Sequence, residues 1–239
     1  MSKLTEDERR DRIYRSKRTR VEKFEFNEQV VSVFPDMVRR SIPGYDTIIQ
    51  LTGVLAAQHL VEGALCYDLG CSLGAATISV LKNVGTLDIS IEAVDSSAPM
   101  IEAARAIVTD PRVRFHIEDI RRVKFKPSSV VIMSFVLQFL PPEDRLDFLT
   151  TVRKSMNPGG LLVLSEKIES FQEFDRLHTE FKKANNYSEL EISQKRQALE
   201  RVMQIDSEHT HFNRLSQAGF RQPRRWFHCL NWNSFIANA

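Results

Sequence analysis

Short apolar runs alternate with amphipathic stretches along the chain from residue 46 onwards. The apolar runs predict strands over residues 65–70, 89–95, 113–119, 129–136 and 161–167, and the stretches around them predict helices over 46–60, 75–81, 98–107 and 142–156. These strands are rich in Val, Ile and Leu on both faces, as buried parallel strands are. The repetition of strand and helix therefore predicts a doubly wound α/β sheet with right-handed crossovers.

Residues 170–206 interrupt this alternation after the fifth strand. Ser170-x-x-Glu173 and Ser188-x-x-Glu191 have the spacing of capping boxes, and each is followed by apolar residues at helical spacing. We expect two inserted helices that lie over the strand ends as a lid. Residues 221–231 and 233–237 then predict a terminal strand pair, which completes a mostly parallel sheet of seven strands.

The size of the chain fits one domain with an insertion. It has 239 residues, of which 42% are hydrophobic, enough for one ordinary core. Residues 1–23 contain nine Lys or Arg and five Asp or Glu, a net charge of +4; the whole chain carries +2, so residues 24–239 carry −2. We interpret 1–23 as a basic, flexible leader, with loose contact to RNA as the alternative, and 24–239 as one α/β domain. A negatively charged body does not favour stable nucleic-acid binding.

Composition also bears on compartment and metals. No segment approaches the ~18 apolar residues of a membrane-spanning helix, and the charged N-terminus lacks the apolar core of a signal peptide. Cys66, Cys71 and Cys229 show no metal-ligand spacing and leave one cysteine over. We therefore expect a reduced, cytoplasmic protein with no metal and no membrane contact.

The turn after the first strand carries the main chemical signal. Its strand reaches Asp68, and Gly70 and Gly74 follow before a helix begins; the next strand ends in Asp95. A glycine turn beside an acid at the tip of the neighbouring strand predicts a nucleoside pocket. Dinucleotide sites usually have Gly-x-Gly-x-x-Gly, because the backbone must approach a pyrophosphate. One of those glycines is missing here, which disfavours an NAD-linked oxidoreductase and favours S-adenosylmethionine, a nucleoside without phosphate.

Other residues at the strand ends could contact such a ligand. Asp95 would accept hydrogen bonds from both ribose hydroxyls, while Asp119 and Ile120 would face the adenine. The alternatives stay open, since Asp95 could be a helix cap and Asp119 a turn residue. Cys71 stands at a helix N-terminus, which can acidify a thiol. We interpret it as a space-filling residue whose backbone is used.

Arg196 stands out in the second inserted helix. It lies four residues after Ile192 and three before Leu199, spacings that place side chains on one face. We therefore expect Arg196 on the buried face, where its charge needs an anion, and a guanidinium grips a carboxylate in bidentate fashion. An exposed pair with Glu200 is the alternative. Plain methyl transfer needs no arginine beside the sulfonium, so Arg196 predicts an extra carboxylate on the cofactor or co-substrate.

Three longer segments resemble signatures of the carboxy-S-adenosyl-L-methionine synthase family. They are residues 33–45 (VFPDMVRRSIPGY), 67–77 (YDLGCSLGAAT) and 185–196 (NNYSELEISQKR). Residues 137–140 and 164–167 also match, and the similarity extends from about Phe24 to the C-terminus. The first and third segments are far more specific than the general methyltransferase turn.

The resemblance implies a class I methyltransferase fold that makes carboxy-S-adenosyl-L-methionine from S-adenosyl-L-methionine and prephenate, with release of phenylpyruvate. A proton leaves the sulfonium methyl group, and the resulting ylide captures carbon dioxide derived from prephenate. The resemblance also implies a homodimer whose product serves a separate tRNA carboxymethyltransferase acting on the wobble uridine. An ordinary methyltransferase acting on a small molecule or tRNA is the alternative, and a binding protein without turnover is a third reading.

Carried over by motif, the residues of the cofactor site would be Tyr45, Gly70, Cys71, Ser72, Asp95, Ser96, Asp119, Ile120, Ser134 and Arg196. Arg196 would hold the added carboxylate. Ser96 and Ser134 stand where the family pattern has asparagine, and they lose the reach of the amide. No general base is evident in the chain, and hydroxide released from prephenate could take the proton.

Overall fold

The computed structural model describes residues 9–239 and contains a seven-stranded sheet. In chain order its strands are β1 (Leu65–Leu69), β2 (Ser90–Asp95), β3 (Val113–Ile117), β4 (Ser128–Ser134), β5 (Met156–Lys167), β6 (Arg221–Cys229) and β7 (Trp232–Asn238). Their order across the sheet is β3-β2-β1-β4-β5-β7-β6. Strands β1 to β5 are parallel, and β7 is antiparallel to both neighbours. The doubly wound, mostly parallel sheet is thus confirmed.

Eight α-helices accompany the sheet within residues 9–239. They are α1 (Glu28–Ser41), α2 (Tyr45–Ala57), α3 (Ala75–Val84), α4 (Ala98–Ile107), α5 (Arg145–Ser155), α6 (Gln172–Ala184), α7 (Glu189–Leu199) and α8 (Glu208–Gln217). Helices α1 and α8 were not among the predicted elements. Pro35 lies inside α1, where a proline argues against a helix because it removes a backbone hydrogen bond.

The core lies on both faces of the central strands. One face packs Leu69, Met133 and Leu164 against the apolar sides of α5 and α8, which include Leu149 and Leu215. The other face packs β1, β2 and β4 against α2 and α3. The central strands are buried on both faces, and ligands of such a sheet bind outside the carboxyl ends of the strands.

The inserted helices differ at their N-termini. Ser188 and Glu191 form the capping box predicted for α7, with both reciprocal hydrogen bonds present. The box predicted at Ser170 and Glu173 is wrong: Phe171 occupies the N-cap position of α6 and makes no side-chain cap hydrogen bond. The two acidic side chains in the first turn of α6 favour its start through the helix dipole instead.

The first described residues pack against the body. Residues 1–8 of the predicted leader lie outside the described part. Tyr14 and Val21 are buried in a cluster with residues of α1 and with Ala198 of α7. Asp11 is 2% exposed. The expectation of flexibility therefore fails for residues 9–23, because apolar side chains spaced along this segment fill a gap between two helices. Among residues 9–239, no helix is long and apolar enough to cross a membrane.

Candidate active site

A cavity of about 870 Å³ opens at the carboxyl ends of β1, β2 and β4. Residues of helices α1, α2, α3, α6 and α7 also line the cavity. That α6 and α7 form a lid over the strand ends stays a prediction. All ten residues of the predicted cofactor site line this cavity: Tyr45, Gly70, Cys71, Ser72, Asp95, Ser96, Asp119, Ile120, Ser134 and Arg196. Their contact with a ligand stays a prediction, as does any closing motion of the lid.

The glycine turn holds its shape for steric reasons. Gly70 has φ +74°, and a Cβ built on it would lie 2.5 Å from Val136 Cγ2. The amide of Gly70 donates to Val94 O at 2.8 Å, which fixes the turn against β2. Gly74 also has positive φ, where α3 begins. Both glycines are therefore required by the turn itself, which brings backbone to the cavity wall.

Asp68 is a site residue that we did not include among the candidates. Its Oδ2 accepts hydrogen bonds from the Thr77 amide at 3.1 Å and the Thr77 hydroxyl at 2.7 Å. Its Oδ1 is buried without a partner within residues 9–239, although Asp68 lines the cavity. Burial raises the pKa of Asp68 to about 6. The free oxygen can accept a hydrogen bond from a ligand, for example from an ammonium group. The signal for Asp68 in the sequence was its position just before the glycine turn.

Asp95 joins the tip of β2 to the glycine turn. Its Oδ2 accepts from the Ser72 amide and its Oδ1 from the Ser97 amide, both at 2.9 Å. The helix-cap role falls to Ser97, whose hydroxyl accepts from the Met100 amide. Burial raises the pKa of the Asp95 carboxyl, and the two amide bonds oppose that shift. Each oxygen keeps a free lone pair, so the carboxylate can accept from two neighbouring hydroxyls.

Asp119 is a turn residue, which was one of the two alternatives given for it. It accepts from the Arg121 amide at 2.9 Å and forms an ion pair with the Arg121 guanidinium at 2.6 Å. Its hydrogen bonds with the Arg121 side chain lower the pKa of Asp119. Ile120 beside it is buried and lines the cavity, where it can cover one face of a ring. The wall at this strand end is thus half polar and half apolar, which suits a nucleobase.

An aromatic wall closes the side of the cavity next to α2. The Tyr45 ring stacks on Phe135 at 6.2 Å between centroids, and Phe135 meets Trp232 edge to face at 5.4 Å. Burial raises the pKa of the Tyr45 phenol, which keeps it neutral. Burial likewise raises the pKa of the Cys71 thiol. A buried thiol with a raised pKa is not a nucleophile, so the space-filling interpretation of Cys71 fits the structure.

The expectation that Arg196 occupies the buried face of α7 is wrong. Arg196 is exposed at the cavity wall, and Nη2 donates to Thr179 Oγ1 of α6 at 3.3 Å. The buried cation is its neighbour Lys195, whose Nζ lies 3.2 Å from Asp11 Oδ2. The reason is that α7 turns Ile192, Lys195 and Ala198 inwards, and a residue of the N-terminal segment neutralises that lysine. Among the described residues, Arg196 forms no ion pair.

Two further lysines line the cavity and were missed. Lys167 ends β5 and Lys182 lies in the last turn of α6. Burial, followed by the charges of Lys167 and Arg196, lowers the pKa of Lys182 to about 7. Only the tertiary structure brings Lys167, Lys182 and Arg196 together, because they come from β5, α6 and α7. No pattern in the sequence distinguishes them from surface lysines.

Comparison with known proteins adds three findings. Residues 66–160 match a family model described as a methyltransferase domain. The carboxy-S-adenosyl-L-methionine synthase of Actinobacillus pleuropneumoniae serotype 7 is 46% identical over 237 residues, which cover 95% of this chain and 98% of that protein. The synthase of Pseudomonas putida strain F1 is 46% identical over 240 residues, with coverage of 95% and 97%.

A solved structure agrees at the level of the fold. Human N-acetylserotonin methyltransferase in complex with S-adenosylmethionine superposes with a TM-score of 0.61 at 15% identity. The match covers 88% of this chain and 55% of the human chain, so the chain spans about half of that enzyme. The fold is therefore that of the class I methyltransferases.

Proposed function

This chain belongs to the carboxy-S-adenosyl-L-methionine synthase family, and on that premise we propose that it converts S-adenosyl-L-methionine and prephenate into carboxy-S-adenosyl-L-methionine and phenylpyruvate. The observation that supports this proposal most directly is the position of Arg196. Its guanidinium lines the same cavity as Asp95 and has no acidic partner among residues 9–239. A carboxylate on the sulfonium side of a bound nucleoside would satisfy it.

The steps of the proposed reaction balance. Prephenate, a dianion, loses carbon dioxide and hydroxide and becomes phenylpyruvate. The sulfonium methyl group of S-adenosylmethionine loses a proton, which combines with the hydroxide to give water. The carbanion then forms a bond to the carbon of carbon dioxide, and the product carries a new carboxylate.

The residues of the chain would bind, orient and exclude water. Asp95 would hold the ribose, and Ile120 would cover the adenine. Tyr45 and Phe135 would keep water from the methyl group, because a wet site would reprotonate the ylide before it meets carbon dioxide. No buried acid or base of the described residues needs to take the methyl proton, since the hydroxide leaving prephenate is itself a base.

Further proposals concern the biological setting. We propose a cytoplasmic homodimer whose product supplies a tRNA carboxymethyltransferase acting on the wobble uridine. The support is the family resemblance of residues 33–45 and 185–196. Size-exclusion chromatography with light scattering tests the dimer.

The test of the proposed reaction is a two-substrate assay. Purified protein is mixed with S-adenosylmethionine and prephenate, and the products are measured by mass spectrometry and by the absorbance of phenylpyruvate. We expect phenylpyruvate and a nucleoside heavier than S-adenosylmethionine by one carbon dioxide, in equal amounts. Absence of both products contradicts the proposal, as does S-adenosylhomocysteine as the sole nucleoside product, which an ordinary methyltransferase would give.

A further inference from the structure

Lys167 and Lys182 face the cavity without an anionic partner. Both are half-buried, and neither Nζ has a hydrogen-bond or ion-pair partner within residues 9–239. Burial lowers the pKa of each lysine, and Arg196 lowers both further. Removing cationic groups from water next to one another costs free energy unless an anion joins them. The two half-buried lysines, with Arg196 on the same cavity wall, therefore form a cationic site that has no counter-ion among residues 9–239.

Two other lysines near the cavity form ion pairs with acidic side chains. Lys195 on α7 is buried, and its Nζ lies 3.2 Å from Asp11 Oδ2 and 3.0 Å from Ser41 Oγ. Lys183, the next residue after Lys182, forms ion pairs with Glu180 at 3.0 Å and Glu189 at 2.8 Å. These two lysines thus have acidic partners, whereas Lys167 and Lys182 have none within residues 9–239.

The acids around Lys182 are engaged elsewhere. Asp175 is the acid that acts on Lys182, and its Oδ1 accepts from Asn231 Nδ2 at 3.0 Å. Asp95, on the opposite wall, is held by two amides of the turn. His178 does not help, because burial lowers its pKa to about 3 and its Nε2 lies 2.7 Å from Ser41 O. Glu200 also lines the cavity and acts on Lys167, but it forms no ion pair with either lysine within residues 9–239. Both ammonium groups are therefore available to a ligand anion.

We propose that Lys167 and Lys182 bind the carboxylate of the oxo-acid side chain of the co-substrate, the one that phenylpyruvate retains, while Arg196 receives the carboxylate that is transferred. This inference rests on the proposed function. Prephenate carries two carboxylates with different fates, so its site needs two groups of cations. Arg196 on α7 and the lysine pair on β5 and α6 supply them from neighbouring walls of one cavity.

The experiment compares Lys167→Gln and Lys182→Gln with the control Lys183→Gln, which removes the same charge from a half-buried position of α6 that does not line the cavity. Loss of one charge-assisted hydrogen bond to a carboxylate raises KM or Kd by about tenfold to hundredfold. We expect this increase in KM for prephenate in the first two variants, with KM for S-adenosylmethionine within about twofold of the wild type. Lys183→Gln should match the wild type, and Lys182→Arg should recover most of the affinity.

Direct binding separates this inference from the proposed reaction. Phenylpyruvate is titrated by calorimetry into protein saturated with S-adenosylhomocysteine, a measurement that needs no turnover. Weaker binding in both glutamine variants supports the lysine site even if the wild type forms no carboxylated product. Unchanged phenylpyruvate binding in both variants overturns the inference. Equal loss of phenylpyruvate and S-adenosylhomocysteine binding also overturns it, because that result indicates a general structural role.

Discussion

The carboxylate of Asp95 accepts a hydrogen bond from the backbone amide of Ser72 at 2.9 Å. Ser72 has φ +48°, a left-handed conformation that is costly for a residue with a side chain. The acid at the tip of β2 thus stabilises the loop after β1, and the same carboxylate is free to accept from a ligand. Loop geometry and ligand binding are coupled through one side chain.

Replacement of Asp95 tests this coupling. Asp95→Ala removes the acceptor for the Ser72 amide and for the ribose hydroxyls, so we expect the Kd for S-adenosylmethionine to rise at least hundredfold. Asp95→Asn keeps one carbonyl oxygen and should lose less. Isothermal titration calorimetry measures both. Glu102→Gln, an exposed acid on α4, is the control; equal affinity in Asp95→Ala and wild type would exclude Asp95 from the site.

Gly70 and Gly63 together separate the cost of a positive φ from the cost of a steric clash. Gly70→Ala places a methyl group 2.5 Å from Val136 Cγ2 at φ +74°, whereas Gly63→Ala has a similar φ of +75° with nothing within 4 Å. We expect Gly63→Ala to lower the free energy of unfolding by about 1 kcal/mol. Gly70→Ala should lower it by roughly 1–3 kcal/mol more, as overpacking does, and weaken cofactor binding. Urea denaturation measures the difference; equal stability of the two variants would show that Val136 yields freely.

Arg196 distinguishes carboxyl transfer from methyl transfer. Arg196→Leu removes the guanidinium from an exposed position, so folding should be unaffected and S-adenosylmethionine should bind with a Kd within about threefold of wild type. We expect the carboxylated product to fall below about 1% of the wild-type rate, an effect of roughly 3 kcal/mol on a charge-assisted contact.

The control for this variant is Arg201→Leu, an exposed arginine outside the cavity wall. Products are quantified by mass spectrometry under single-turnover conditions. Undiminished carboxylation in Arg196→Leu would favour an ordinary methyltransferase.

Asp11 ties the N-terminal segment to α7. Its Oδ2 accepts from Lys195 Nζ at 3.2 Å and from the Tyr187 hydroxyl at 2.5 Å. Asp11→Ala leaves Lys195 buried without its anion, and we expect a loss of about 3–5 kcal/mol of folding free energy. Glu22→Ala, which breaks an exposed pair with Arg20 in the same segment, should cost less than about 1 kcal/mol. Chemical denaturation that finds both variants equally stable would contradict a structural role for the segment.

The pKa of Lys182 predicts a pH dependence of co-substrate binding. Because the pKa of Lys182 is lowered to about 7, the ammonium form is present below pH 7 in the free enzyme and is lost above it. We therefore expect KM for prephenate to rise by up to about tenfold per pH unit between pH 7 and 9. Lys182→Arg stays charged and should lose most of this rise.

Several groups face Lys182 and set this behaviour. The charges that act on Lys182 are those of Lys167 on β5, of Arg196 and Lys195 on α7, and of Asp175 on its own helix. The other titratable groups that line this part of the cavity are Arg39, His178, Glu191 and Glu200. His178 stays neutral over this range because its pKa is lowered to about 3. A steep rise that persists in Lys182→Arg would assign the titration to another of these groups.

The sequence by itself determined the parallel strands of the sheet and the glycine turn at their carboxyl ends. Runs of Val, Ile and Leu predict β1 to β5. Gly70 follows the carboxyl end of β1 and Asp95 is the last residue of β2, and the carboxyl ends of neighbouring parallel strands lie side by side. The capping box at Ser188 is equally local. Each strand, the turn and the cap can be predicted because each depends on neighbours within a few residues. The parallel pairing of β1 and β2 then brings Asp95 to the turn.

The tertiary structure decided which charges are buried, paired or left free. Helical spacing alone placed Arg196 on the buried face, yet Lys195 is buried there because Asp11, remote in sequence, neutralises it. Lys167 and Lys182 line one cavity only because β5 and α6 meet there. The phase of a helix against its surroundings depends on every element that packs around it, and electrostatic partners far apart along the chain leave no periodic signal in the sequence.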